Sequence, residues 1–213
     1  MILKNTILKQ LNIQSVDTRY VSIYKDTLHI NNYKFAKFTR KKQEKFNQKY
    51  PEIKIIQSKI FQKICNKTSK NLKTQIKPQD IIYVNKDNKP ENIALQIILE
   101  PYQRKYGIKF TDSINEKTKI TNPQTLDQTT HTYIEQMLNG EKIQDIQEKN
   151  TIYPLKNIPL QWVMEWLMKT SICYQEDKNL KNDLEDSLIS FLEIHVPNVK
   201  ENILRSVEYL EKN

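Results

Sequence analysis

Apolar positions switch repeatedly between helical and alternating spacing, and the switches cut the chain into short elements. Ile2, Leu3, Ile7, Leu8, Leu11 and Ile13 predict a short helix, and the alternation from Tyr20 to Ile30 predicts one or two small strands. A basic helical stretch begins near Asn32. In it Phe35, Phe38, Phe46 and Tyr50 are set among Lys34, Lys37, Arg40, Lys41, Lys42, Lys45 and Lys49, and Pro51 closes it. A second helix is predicted over Lys54 to Leu72, with Ile56, Ile60, Ile64 and Leu72 as its apolar stripe and Lys59, Lys63, Lys67 and Lys70 on an adjacent face.

The middle of the chain reads differently. Lys77-Pro78-Gln79-Asp80 is a turn, Ile81 to Val84 an uninterrupted apolar strand, Asn85 to Pro90 a polar loop and Glu91 to Leu99 a helix with Ile93, Ala94, Ile97 and Ile98 inward. Strand, loop and helix in that order predict an α/β nucleotide-type domain, whose anion site would fall in the loop. Gly107 marks a turn, and Ile108–Phe110 and Lys119–Thr121 are further short strands. Thr125 and Gln128 have capping-box spacing ahead of Leu126, Thr130, Ile134, Met137 and Leu138, and Gly140 supplies the terminator. Ile158-Pro159 leads into a helix with Trp162 and Trp166 four apart on one face, a buried seam or a hot spot for a protein partner. Asn182 with Glu185 opens another helix, and Pro197-Asn198 turns into a last one bearing Val199, Ile203, Leu204, Val207 and Leu210.

Composition then removes mechanisms. The only glycines among 213 residues are Gly107 and Gly140, so no glycine loop can close successive backbone N–H groups around a phosphate. The loop Asn85, Lys86, Asp87, Asn88, Lys89 holds none, and Walker, kinase and dinucleotide fingerprints all fail with it. Cys65, Cys173 and the three histidines show no metal-ligand spacing, so no metal or cofactor is expected. His131 has no acidic residue placed in sequence to orient it as a base. Two free thiols, no leader and no apolar stretch of membrane length predict a soluble, cytoplasmic chain.

Charge distribution adds a candidate partner. The formal net charge is +9, yet Lys34 to Lys77 holds fourteen Lys or Arg against Glu44 and Glu52, while Glu141 to the end holds nine basic and thirteen acidic residues. A cationic N-terminal half invites a nucleic-acid backbone. Arg40, Lys41, Lys42, Lys59, Lys63 and Lys67 are the candidate phosphate contacts. A lysine-solubilised surface helix explains the same pattern without any ligand.

From Lys54 to Glu211 the segments also resemble a known family. Tyr153-Pro154-Leu155-Lys156, Ile158-Pro159, Cys173-Tyr174, Ser190-Phe191-Leu192-Glu193, Val196-Pro197-Asn198-Val199 and Ile203 to Glu208 are similar to the end of the tRNA 2-thiolation enzymes. Lys77 to Ile82 resembles their first core strand, and Thr125-Leu126-Asp127-Gln128 with Leu138-Asn139-Gly140 resembles a later adenylation-domain helix. Where active members have a serine-glycine-glycine-lysine-aspartate-serine loop, this chain has Asn85 to Pro90. Their zinc-ribbon and sulfur-transfer cysteines have no counterparts in Cys65 and Cys173, and Leu99 to Asn122 is short enough to lack a strand and its helix.

The resemblance is thus to the cytoplasmic tRNA 2-thiolation protein 2 family, the non-catalytic relatives of the adenylating enzymes. It implies an α/β, degenerate Rossmann-like adenylation domain of the PP-loop ATPase type at 54–213, with a basic N-terminal helical extension at 1–53 and a helical C-terminus. It implies a pseudoenzyme rather than an enzyme, which binds tRNA and forms a heterodimer with a catalytic subunit. That partner would convert wobble uridine to 2-thiouridine with sulfur from a ubiquitin-like carrier. Asp127 is the one residue it offers for an inherited catalytic-region contact. Two alternatives stay open: a stand-alone basic RNA-binding or ribosome-associated protein, and an enzyme that adenylates tRNA through an unusual loop.

Overall fold

The computed structural model describes residues 4–143, 148–175 and 184–210. Two sheets share one helical layer. In the N-terminal sheet, β1 (Val21–Tyr24) and β2 (Thr27–Ile30) form an antiparallel hairpin, and β3 (Lys54–Ile56) pairs in parallel with β2. Three helices complete this layer: α1 (Lys4–Ile13), α2 (Tyr33–Ala36) and α3 (Arg40–Lys49). Leu11, Val21, Leu28, Ala36 and Phe46 form its core.

Two expectations differ here. The basic stretch after Asn32 is broken, because Lys37 takes a left-handed conformation (φ 52°) and Thr39 is extended, which separates α2 from α3. Lys54 to Ile56 is a strand, so the second basic helix, α4 (Lys59–Gln75), starts later, with the Ser58 hydroxyl accepting from the N–H of Phe61.

The second sheet is wholly parallel. Its strands β4 (Ile81–Tyr83), β5 (Lys109–Thr111), β6 (Thr118–Thr121) and β7 (Thr151–Ile152) lie in the order β5-β4-β6-β7. β4 is followed by α5 (Pro90–Leu99) and α6 (Tyr102–Tyr106) before β5, and the chain then crosses to the other side of β4. That crossing uses residues 112–117 and contains no helix, in keeping with the shortness of this region in the sequence. β6 leads into α7 (Leu126–Leu138), where the Thr125–Gln128 capping box forms and Gly140 takes φ +69°.

α5 is apolar over most of its surface, as a helix packed between layers must be, with Glu91 and Gln96 left on its partly exposed edge. Ile93, Ala94, Leu95, Ile97, Ile98 and Leu99 are all buried, and the helix packs against β1 of the first sheet as well as α8 (Leu160–Met168). Glu100 fastens the two layers. Its carboxylate accepts both Nη1 and Nη2 of Arg104 at 2.5 and 2.6 Å and the N–H of Ile23 at 3.2 Å, while Arg104 also donates to the carbonyls of Thr18 and Val21. A buried charge pair persists only when its remaining hydrogen-bonding positions are satisfied, and here the N-terminal strand supplies them.

Against the same layer, Phe61 of α4 stacks on Trp166 of α8 at 4.3 Å between ring centroids, and His29 of β2 meets both rings edge-on. Two further helices, α9 (Leu184–His195) and α10 (Val199–Leu210), pack on α7. The expected start of α9 at Asn182 lies outside the described residues. Among the described residues, no helix is long and apolar enough to cross a membrane.

Candidate functional site

A parallel sheet whose strand order reverses opens a crevice at the carboxyl ends of the strands on either side of the reversal. The chain goes from β4 out to β5 on one side and then to β6 and β7 on the other, so the reversal falls between β4 and β6. The loop 84–89 and the segment 122–125 are therefore the edges of the candidate site. The hydroxyl of Thr121 donates to the carbonyl of Tyr83 at 3.1 Å and ties the two strand ends together.

On the β4 side the loop is closed on itself. Asp87 takes the N–H of Lys89 at 3.1 Å, the amide of Asn92 at 2.7 Å and the amide of Asn85 at 3.1 Å, while its own N–H donates to Asn85 Oδ1. The negative charge favoured at the start of α5 is thus the protein's own carboxylate. Lys86 pairs with Asp112 at 2.5 Å, and the N–H of Gln175 donates to the carbonyl of Asn88, which lays the segment after α8 over the loop. Asn88 and Lys89 are exposed.

On the β6 and β7 side the crevice is open. A cavity of about 420 Å³ is lined by Asn122, Gln124, Gln128, Thr129, Thr132 and Glu148, with Pro123, Tyr133 and Tyr153 adding apolar surface to these amides, hydroxyls and one carboxylate. Such a lining suits a polar ligand that carries both donors and acceptors. Sequence reading missed this pocket because its residues are ordinary singly and meet only where α7 packs beside the ends of the paired strands β6 and β7.

The predicted phosphate contacts are not equivalent. Arg40 stands at the start of α3 with its side chain 93% exposed and a surface pair to Glu44, and Lys41 and Lys59 are exposed. Lys42 donates to the carbonyls of Ser15 and Lys37, both at 2.9 Å. Lys63 lies over the ring of Trp162 at 5.7 Å. Lys67 lies over the same ring at 5.1 Å and pairs with Glu201 of α10 at 2.5 Å. Trp166 is fully buried, whereas Trp162 is half-buried beneath those two lysines.

Asp127 accepts the N–H of Leu160 at 2.6 Å and Nζ of Lys200 at 2.8 Å, so it joins the first turn of α7 to α8 and α10. His131 does have an acid nearby, Glu185 of α9 at 3.9 Å, which its sequence surroundings could not reveal. Burial lowers the His29 pKa to about 3 and raises that of the half-buried Cys65 thiol to about 12. Cys173 is exposed.

Three comparisons place this geometry. No family model matches the chain. Over 93 residues it is 33% identical to a probable sulfurtransferase of Methanocaldococcus jannaschii, a match that takes in 43% of this chain and 27% of that protein. The chain therefore spans about a quarter of the curated relative it matches. Its fold is similar to that of the U34-tRNA thiolase NcsA of Methanococcus maripaludis, solved with its [4Fe-4S] cluster, at a TM-score of 0.59 and 13% identity over 78% of this chain and 84% of that one. The α/β expectation and the likeness to tRNA thiolation proteins are supported at that level, and neither comparison singles out the non-catalytic branch. The expectation of a pseudoenzyme is overturned: these two similar proteins carry enzyme names, a sulfurtransferase and a thiolase.

The cluster in that neighbour does not fit this chain's own residues. Iron–sulfur clusters are held chiefly by several cysteine thiolates. Cys65 and Cys173 are the only two here, and Cys65 is kept protonated by burial.

Proposed function

We propose that the chain is part of a tRNA sulfurtransferase that thiolates the wobble uridine. The observation that carries this reading is the 33% identity over 93 residues with a probable sulfurtransferase, and the thiolase-like fold agrees with it. tRNA is the substrate, gripped through its phosphates by the exposed cations of the N-terminal half, Arg40, Lys41 and Lys59 first, the pair of Arg40 with Glu44 being a solvated surface contact. Lys42, Lys63 and Lys67 contribute less, because each already has a protein partner. The working division is an N-terminal part at 1–53, which carries Arg40 and Lys41, and the α/β domain at 54–213, which lends β3 to the N-terminal sheet, carries Lys59 and receives the reacting nucleotide in its open crevice beside Asn122 and Gln124.

A second thiolation chain completes the enzyme with cysteines and phosphate-cradling glycines that these 213 residues do not contain, and the two form a cytoplasmic heterodimer. Sulfur reaches the pair from a ubiquitin-like carrier bound by that second chain. Trp162, half-buried beside α4, is the candidate contact with it; Trp166 is spent on the core.

Purification of the native protein with identification of bound protein and RNA tests this. A glycine-loop thiolation enzyme recovered together with tRNA supports it. Recovery of ribosomal or mixed RNA without such an enzyme contradicts it and assigns the chain to stand-alone RNA binding.

A further inference from the structure

A second cavity lies far from the sheet crevice in sequence, between the N-terminal layer and α4 to α6. It measures about 170 Å³, close to the ~150 Å³ of a protein cavity that takes up one benzene ring. That is space for a single ring rather than a whole nucleotide. Tyr20 and Phe35 form one wall, their ring centroids 5.2 Å apart, and Phe35 is half-exposed there. Cys65 and the buried Asn31 form part of the lining, with Asn66 and Lys105 beside them.

Asn31 is engaged within the fold, accepting from the Ser22 hydroxyl at 2.9 Å, which leaves Lys105, Asn32 and Asn66 as the polar groups turned to this space. Lys105 is half-buried with its ammonium over the rings of Tyr20 and Tyr102 at 4.5 and 5.2 Å, and the carboxylate that acts on it, Asp17, is itself held by Arg19 at 2.8 Å. Desolvation holds its pKa below the usual lysine value. Asn32 uses its side-chain oxygen to cap α2, which leaves its amide N–H groups for another acceptor. A pyrimidine offers carbonyl acceptors and a ring N–H on one edge and a face that stacks on an aromatic ring. The arrangement supplies each complement: amides that donate and accept, a cation for carbonyl oxygens, and an aromatic plate at the mouth.

We propose that this cavity binds one unstacked pyrimidine base of an RNA strand, with Phe35 stacking on the base and Asn66 and Lys105 contacting its polar edge. As an RNA contact it rests on the reading that the chain handles tRNA. The site is separate from the crevice beside Asn122, so it positions the RNA rather than presenting the reacting base.

The test compares binding of five-nucleotide oligomers of U, C and A, of free uridine monophosphate and of whole tRNA to wild type, Phe35→Ala and Asn66→Ala. Both substituted side chains are exposed, and native circular dichroism verifies folding. The expected result is a preference for U and C oligomers over A, with loss of about tenfold on removing Phe35 and a smaller loss on removing Asn66. Equal affinity for the A oligomer, or no loss in either variant, overturns the proposal while tRNA binding by the wild type leaves the broader reading intact. Binding of the monophosphate as tight as that of the oligomer supports a pyrimidine site but assigns it to a free nucleotide. If the wild type binds no tRNA, the broader reading fails and the monophosphate titration alone decides the pocket.

Discussion

Helices α3 and α4 look alike in sequence, each dense in lysine, and the fold puts them to different uses. α3 buries Phe46 alone, and Arg40, Lys41 and Lys45 stand in solvent. α4 buries Phe61, Ile64, Thr68 and Leu72 against the core, and its flank is covered by α8 and α10, so that Lys63 and Lys67 meet Trp162 and Glu201. The excess acid of the C-terminal half thus neutralises part of the basic stretch by folding onto it. Density of charge along a chain measures the field available only after these internal pairs are subtracted.

The largest expected effect breaks the α4 side. Trp166→Ala removes the ring that stacks on Phe61 and meets His29 edge-on and should destabilise the protein by about 3–5 kcal/mol in chemical denaturation. A loss below about 1 kcal/mol would mean that α4 is not anchored there.

The same cluster predicts a pH dependence. Burial lowers the folded pKa of His29 from the ordinary 6.5 to about 3, so between those values the unfolded chain binds the proton and the folded chain does not. Stability from this group is present above about pH 6.5 and is lost as pH falls toward 3, by about 1.4 kcal/mol per unit within that window. His29→Phe keeps an aromatic ring in place and should flatten that part of the denaturation profile. An unchanged slope would show that His29 is accessible to protons in the folded state.

On the α3 side, replacing Arg40 and Lys41 together by glutamate should weaken tRNA binding severalfold near 0.1 M salt and lower the slope of log affinity against log salt by about 1 per lost phosphate contact. Fold stability should be unaffected, since both side chains are exposed. The smallest effect belongs to Lys67→Met, which trades the partly buried pair with Glu201 for apolar contact with Trp162. It should move stability by no more than about 1 kcal/mol in either direction and leave the salt slope unchanged. A drop in salt slope as large as that from α3 would remove the distinction between the helices.

Local signals carried much of the architecture in the sequence. The apolar run Ile81 to Val84 and the capping box at Thr125 both lie where the structure has β4 and the start of α7. What stayed hidden depends on distant partners. Lys54-Ile55-Ile56 becomes a strand because β2 offers a parallel edge, while Ile56, Ile60 and Ile64 by themselves continue a helical stripe. The clasp of Glu100 and Arg104 looks like an ordinary helical pair until the carbonyls of Thr18 and Val21 are brought to it. For the candidate site, the missing glycines were legible at once. That the Asp87 carboxylate takes up the start of α5, and that polar pockets open beside Asn122 and beneath Phe35, required the tertiary structure.

The most direct test of the central claim is the amount of 2-thiouridine at the wobble position of cellular tRNA, quantified by mass spectrometry of digested tRNA with the gene deleted and then restored. The account predicts that the thiolated nucleoside falls on deletion, returns with the wild-type gene and returns incompletely with the Arg40, Lys41 double glutamate variant. Unchanged 2-thiouridine after deletion would contradict a role in tRNA thiolation.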